Sequence, residues 1–497
     1  MEHAQFQKKS NPQEKDAGLP VPSKNLRENG GLLSTKPKDD EYIINFHRIK
    51  KIKEDILLIN EQGAWALMSK KKYESLIRHE LDDESKKIFE EKGLIVSRNN
   101  INRIIKTEFL RRRFMFHPPV LHIILPTLRC NHRCIYCHSS AKIDTKKEYD
   151  MSIETSRKTV EFIMDSPSKA IKIEFQGGES LLNFDVAKEI IHYVKELAEK
   201  KEKKVTFSIV SNLTALNEEY LLWLKDHKVR LSTSLDGPKE VHDKNRIYLG
   251  GNGTYDDVVR KIEFCRQNGV YVGALMVTTR HSLPMAKEIV DTYLKLGFDH
   301  IQLKFINKIG FAENEWNEIG YTPEEYLKFW QESMEYILEK NKEGIFIIER
   351  FTHLILQKIF SSDEPGFLDF RNPCGIATGQ IAYNYNGDIY CCDEGRGFDV
   401  FCLGNVWNMT YHEYVNQNKT QKLVESSILE SSYCDTCIFK PYCGQCPVLN
   451  YAEQHSLIPK IATNTRCKIM KGIFEWIFQK AVFDESAKKV FNEWLKK

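Results

Sequence analysis

Six short strand-like segments separated by helical runs predict an α/β core over residues 121–307, as a parallel sheet or a partial (β/α)6 barrel. Two further observations frame that core. A smaller strand-and-helix unit precedes it from about residue 42 to 96, and a cysteine-rich stretch follows it from Cys374 to Cys467. The expected division is a disordered tail at 1–41, an N-terminal unit with linker at 42–118 and a core at 119–310. A helical linker at 311–373, a cysteine domain at 374–470 and a C-terminal helix at 471–497 complete it.

Residues 1–41 are polar, rich in Lys, Asn, Pro and Gly, and lack apolar periodicity, which predicts a mobile tail. DILLINEQGAWALMS (55–69) reads as two strands around a Glu-Gln-Gly turn, and KKKYESLIRHEL and DESKKIFEEKGLI read as short helices. A strand pair followed by small helices is a winged-helix-like pattern. The basic run Arg103–Arg113 reads as a solvated linker helix. The core strands are predicted at 121–126, 171–176, 205–210, 230–234, 271–277 and 300–305, with helices such as VAKEIIHYVKELAEK between them. In such folds ligands bind at the C-terminal ends of the strands.

The chain has 497 residues, too many for one ordinary core, so about two to four domains are expected. With 41% hydrophobic and 28% charged residues the composition is globular, and a formal charge of +3 gives no reason to expect nucleic-acid binding. No secretory signal and no apolar stretch of about 20 residues is visible, which predicts a cytoplasmic protein without a membrane span. Thirteen cysteines in that compartment argue for metal or cluster ligation over disulfides. Eleven of them fall in two groups, at 130–137 and 374–446, which supports ligation. Cys265, on a predicted helix, reads as a small buried hydrophobe.

The first group is Cys130-x3-Cys134-x2-Cys137, four residues beyond the first core strand and therefore at the rim where ligands bind. Three close thiolates without an adjacent fourth can leave one iron of a 4Fe–4S cluster open to a reagent. A zinc knuckle is the competing account of the triplet alone. The second strand ends in Gln176-Gly177-Gly178-Glu179, where two glycines permit close backbone approach and a carboxylate can accept from an ammonium group. The third ends near Asn212, and the fourth in Ser234-Leu235-Asp236-Gly237, with Arg246 shortly after. Loop capping explains any one of these residues; their occurrence at successive strand ends carries the weight.

With these motifs in this order, residues 120–310 resemble the radical S-adenosylmethionine (SAM) superfamily. The resemblance implies a TIM-like partial barrel in which Cys130, Cys134 and Cys137 hold a 4Fe–4S cluster chelated by SAM. It also implies that Tyr136 lies near the adenine, Gly177, Gly178 and Glu179 contact the methionine ammonium, and Ser234 and Arg246 touch the ribose or carboxylate. Asn212 is a further candidate contact.

In the second group, Cys374 is followed by Gly387-x4-Cys392, then by Cys434-x2-Cys437-x5-Cys443-x2-Cys446 and Cys467. A four-cysteine zinc ribbon would account for 434–446 by itself. The whole array is similar to the SPASM extension, which implies two auxiliary iron–sulfur clusters, expected as 4Fe–4S. By that pattern Cys434, Cys437, Cys443 and Cys467 hold the outer one, and Cys374, Cys392 and Cys446 the inner one. Cys446 follows Cys443 by two residues where some members have three. No cysteine lies just upstream of Cys374, so Cys391, Cys402, Asp393 or a substrate atom stays open as the fourth inner ligand.

SPASM-bearing relatives mostly modify peptides, and the N-terminal unit resembles their winged-helix-like peptide-recognition domains. A peptide would add as a strand to an edge in the hairpin 55–68. NFHRIKKIKEDILLINEQGAWALMS and HPPVLHIILPTLRCNHRCIYC are similar to the His-Xaa-Ser system radical SAM maturase, B-type. That resemblance implies a ribosomally made His-Xaa-Ser peptide substrate, a second radical SAM maturase as partner, and an electron donor such as flavodoxin or ferredoxin. Two other readings compete: a formylglycine-forming anaerobic sulfatase maturase, and a non-catalytic iron–sulfur peptide-binding carrier. Asp236, Asp393, Glu394 and Tyr383 are equal candidates for a general base.

Overall fold

The computed structural model describes residues 42–139, 141–142, 146–361 and 364–497; the tail expected at 1–41 lies outside them. Near the N-terminus three antiparallel strands, β1 (His47–Ile52), β2 (Asp55–Asn60) and β3 (Trp65–Ser69), form one sheet in that order. The Glu-Gln-Gly turn lies between β2 and β3 as the sequence suggests. β2 is the central strand, paired on both sides, so the free edges are β1 and β3. Strand β1 carries His, Arg and two Lys, whose charge hides its alternation. Short helices follow at Lys70–Ile77 and Asp83–Lys92, and the second ends on Gly93 at φ 72°, a left-handed C-cap suited to glycine.

The basic run forms helix α1 (Ile101–Arg112). It is not simply solvated. Arg111 donates to the Lys358 carbonyl (2.9 Å) and Arg112 pairs with Glu430 (3.3 Å), so the helix is tied to the C-terminal half.

The core is a nine-stranded sheet. Six parallel strands lie side by side in chain order: β4 (Leu121–Ile124), β5 (Ala170–Phe175), β6 (Lys204–Val210), β7 (Arg230–Ser234), β8 (Val272–Thr278) and β9 (Leu303–Phe305). They match the six predicted segments. Helices such as α2 (Phe184–Lys200), which buries Ile190, Ile191 and Val194, cover the sheet and supply the crossover between neighbouring parallel strands. Cys265 is fully buried in this core, as expected.

The sheet does not stop at residue 310. Strand β10 (Gln380–Tyr383) runs parallel to β4, and β11 (Asp388–Tyr390) and β12 (Cys402–Asn405) continue it antiparallel. One sheet therefore carries both the first cysteine loop, after β4, and the start of the cysteine array, around β10 to β12. Between core and array lie helices α3 (Pro323–Lys342) and α4 (Arg350–Phe360). The C-terminus forms α5 (Thr465–Phe483) and α6 (Glu485–Trp494). Asn464 caps α5, which places Cys467 in its first turn, and Asp484 ends α5 and caps α6. Among the described residues no helix is long and apolar enough to cross a membrane.

Candidate active site

The loop after β4 is built from both sides. Residues 132–134 pair antiparallel with 246–248, and this register sets Arg246 opposite Cys134. Arg246 Nη1 donates to Cys134 Sγ at 3.7 Å, and the His132 amide donates to Cys130 Sγ at 3.4 Å. Asn212 Nδ2 lies 3.9 Å from Cys130 Sγ and donates to Asn131 Oδ1 at 2.8 Å. The Cys137 amide donates to the Cys134 carbonyl at 3.2 Å, so Cys130, Cys134, Cys137, Asn212 and Arg246 are brought together.

The Gly-Gly-Glu turn packs against this same loop. The amides of Gly178 and Glu179 donate to the carbonyls of Thr127 and Arg129 (3.0 and 2.8 Å). A Cβ at Gly178 would meet the Arg129 carbonyl oxygen at 2.1 Å, and one at Gly177 the Thr127 oxygen at 2.4 Å. Close approach to the cysteine loop is therefore a sufficient physical reason for both glycines. Glu179 is 1% exposed. Its carboxylate accepts from Leu181 N (3.0 Å), Ser211 Oγ (2.8 Å) and Asn212 N (2.7 Å), joining the ends of β5 and β6. Burial raises its pKa against the pull of those three donors.

Asp236, fully buried, is the centre of a second network. It accepts from Tyr136 Oη (2.5 Å), Arg246 Nε (3.0 Å), Asn245 Nδ2 (3.2 Å) and Val277 N (3.2 Å). Tyr136 is turned inward, its ring 5.0 Å from the Arg246 guanidinium, and burial raises its pKa well above the phenol range. Burial lowers the Arg246 pKa, but Asp236, Tyr136 and Cys134 outweigh it and the net shift is upward. Arg246 is thus a permanent cation between Asp236 and a cysteine sulfur. Ser234 ends β7, half-buried, in register with Leu275.

The candidate bases separate. Tyr383 lies inside the sheet against His122 Nδ1 (2.9 Å), and Asp236 is spent on Arg246 and its neighbours. Asp393 and Glu394 instead stand where the two cysteine groups meet. His138, next to Cys137, contacts Asp393 at 3.1 Å, and Arg396 donates to Asp393 (Nε, 3.0 Å) and Ser139 (3.2 Å). Burial opposes ionisation of Asp393, but Arg396 and His138 hold it well below the carboxylate range; burial and Asp393 raise Glu394.

In the C-terminal array Cys374, Cys391, Cys392 and Cys446 act on one another electrostatically, as do Cys434, Cys437, Cys443 and Cys467. Cys391 and Cys392 sulfurs are 3.8 Å apart. Cys402 turns to the Gly404 carbonyl (3.5 Å), on the sheet edge. The outer four line a cavity of about 1400 Å³ together with Arg466 and Lys471, and Ile49 and Lys50 of β1 complete its wall.

Burial raises the thiols of both regions, Cys134 to about 11 and Cys374 and Cys443 to about 12. Such groups ionise when a bound cation supplies the missing positive charge, which fits soft-metal ligation. Among the described residues no three His, Cys, Asp or Glu side chains converge on the position of a single ion.

Residues 124–292 match the Radical SAM superfamily model. The cysteine-type anaerobic sulfatase-maturating enzyme of Clostridium perfringens is 27% identical over 378 residues, 73% of this chain and 98% of that protein. The serine-type enzyme of Bacteroides thetaiotaomicron is 23% identical over 381 residues, 72% of this chain and 89% of its own. A solved structure of native anSMEcpe with bound AdoMet and Cp18Cys peptide shares the fold, with a TM-score of 0.62 and 24% identity over 76% of this chain and 99% of that one. The cysteine-rich C-terminus fits a SPASM domain. With its cysteine loop at the rim of a parallel sheet, this chain carries a radical SAM domain over residues 124–292, which together with the sulfatase-maturating relatives indicates a radical SAM enzyme; that family uses a 4Fe–4S cluster and S-adenosylmethionine.

Proposed function

We propose that the enzyme oxidatively modifies a ribosomally synthesised peptide of His-Xaa-Ser type during its maturation. Cys130, Cys134 and Cys137 hold the cluster, which with SAM bound supplies a 5′-deoxyadenosyl radical for hydrogen abstraction. Arg246 and Asn212 direct N–H groups at two of the three sulfurs and so support their negative charge. Glu179 and the two glycines fix the neighbouring strand ends, leaving backbone carbonyls and Ser234 to orient SAM. Cys434, Cys437, Cys443 and Cys467 hold an outer auxiliary cluster, and Cys374, Cys392 and Cys446 an inner one. An electron donor of the flavodoxin or ferredoxin class and a second radical SAM maturase are the expected partners.

The observation that carries the peptide reading is the attachment of the N-terminal sheet to the cysteine array. Arg48 donates to Glu61 (2.7 Å) and to Asp435 (3.2 Å), Lys440 binds Glu61 and Asp435 (2.6 Å each), and Tyr442 donates to the Gly63 carbonyl (2.8 Å). The unit at 42–118 would serve as a winged-helix-like recognition domain, with a peptide added at the β1 or β3 edge. Just over a quarter of this chain has no counterpart in the C. perfringens relative, which is matched over 98% of its own length. That leaves room for an added recognition element.

The names of the two relatives favour a second reading, formylglycine formation on a sulfatase peptide. Anaerobic incubation of the loaded enzyme with SAM, dithionite and either a His-Xaa-Ser repeat peptide or a sulfatase-derived peptide separates the two. Loss of two hydrogens from the repeat peptide in the mass spectrum supports the first. An aldehyde trapped by hydrazine in the sulfatase peptide alone would replace it with the second.

A further inference from the structure

Arg466 lies beside the outer cysteine group of the C-terminal array, within electrostatic reach of Cys446 of the inner one, and has no role in the motifs. It precedes Cys467 in the first turn of α5 and lines the cavity shared by Cys434, Cys437, Cys443 and Cys467. Its Nη2 donates to the Asp369 carbonyl at 3.1 Å, and its guanidinium lies 5.7 Å from the Phe305 ring, at the end of β9. Its Nε is buried without a protein acceptor. A buried N–H left unpaired is costly, which points to an acceptor for it in the working protein.

The charges around Arg466 indicate where that acceptor lies. Cys443, from the outer group, and Cys446, from the inner group, both feel Arg466, and Arg466 feels both. Glu394 and Asp369 are its other charged neighbours. Lys471 lines the same cavity and acts on Cys434 and Cys467, both outer. A guanidinium stays charged at any working pH and presents donors in a fixed planar fork. The potential of an iron–sulfur cluster rises when a cation or an N–H···S bond offsets its negative charge, since the reduced state carries one more electron.

We propose that Arg466 is a positioning residue that hydrogen-bonds sulfur at the auxiliary centres and raises the reduction potentials of both together. This rests on the auxiliary-cluster assignment made above.

The test is an EPR-monitored redox titration of anaerobically reconstituted full-length protein, with iron counted in every sample. Arg466→Met should lower both auxiliary midpoint potentials while iron stays at the wild-type level. The expected size is about a tenfold fall in the reduced-to-oxidised ratio at fixed potential, which is about 59 mV for one electron. Lys471→Met should lower the outer potential alone. Arg466→Lys keeps the charge but not the fork and should give an intermediate fall in both; it decides the matter if Arg466→Met loses iron. Unmoved potentials in Arg466 variants that retain iron, or a fall in the outer one alone, would overturn the proposal. Iron sufficient for only the first cluster in wild type would overturn the auxiliary-cluster reading and this inference with it.

Discussion

The first cysteine loop and the C-terminal array use the same residue type in opposite surroundings. The loop at 130–137 sits at strand ends, and its sulfurs meet fixed donors from Arg246, Asn212 and the His132 amide. The outer array at 434–467 is held by short 3-10 turns and the first turn of α5, and it opens onto a wide cavity. A sheet rim built from β4 to β7 gives a rigid, closely directed site, suited to one ligand in one orientation. Loops that rely on their ligand for cohesion give a site whose order depends on what it binds.

Replacing Cys130, Cys134 and Cys137 together by Ala is the most severe way to part the two regions. It should abolish 5′-deoxyadenosine formation while leaving the iron of the array bound, as read by product chromatography and iron analysis. Loss of all iron would mean that the two regions do not load separately.

Asp236→Ala comes next. It leaves Arg246 buried without its carboxylate, a loss of about 3–5 kcal/mol for a buried pair broken on one side. Thermal unfolding should show a large fall in Tm; an unchanged Tm would show that the rim is less rigid than its contacts suggest.

His122 tests the strand that joins the regions. It is buried and neutral, with its pKa pulled down to about 3, first of all by burial. The unfolded chain binds that proton near the ordinary value of ~6.5, so stability is present at neutral pH and falls as pH drops below that value. Between pH 7 and pH 5 the loss is about 2 kcal/mol. His122→Gln should flatten this limb in urea titrations, and parallel slopes in the two proteins would refute the assignment.

The smallest effect is expected at the junction with the N-terminal sheet. Arg48→Ala removes contacts to Glu61 and Asp435, both partly exposed, so about 1–2 kcal/mol is expected. Peptide affinity should fall more than stability. Unchanged affinity in a fluorescence binding assay would weaken the case for this sheet as the recognition unit.

The six parallel strands were legible because apolar segments recur between helical runs and turn signals, and two of them, Ala170–Phe175 and Arg230–Ser234, alternate cleanly. The β10 segment, Gln380–Tyr383, was not: it lies within the cysteine array, away from the alternation of strands and helices that marked the other six. β1 was hidden by Arg48, Lys50 and Lys51. In the site, cysteine spacing alone marked the thiols. The partners of Glu179 could not be read, because Ser211 and Asn212 arrive from another strand. The partner of the Tyr136 hydroxyl could not be read either, because Asp236 lies one hundred residues away. Arg466 belongs to no motif, and only its neighbours in space give it meaning.

The pairing of β10 with β4 has a practical consequence for dissecting the protein. A fragment ending near residue 310 would contain every residue of the first cysteine loop and would look complete by motif. It would also expose the full hydrogen-bonding edge of β4, flanked by Ile123 and Ile124. Bare apolar edges recruit strands from other molecules. The isolated core would then leave solution as aggregate, and its failure would reflect the missing neighbour rather than any defect in its own chemistry.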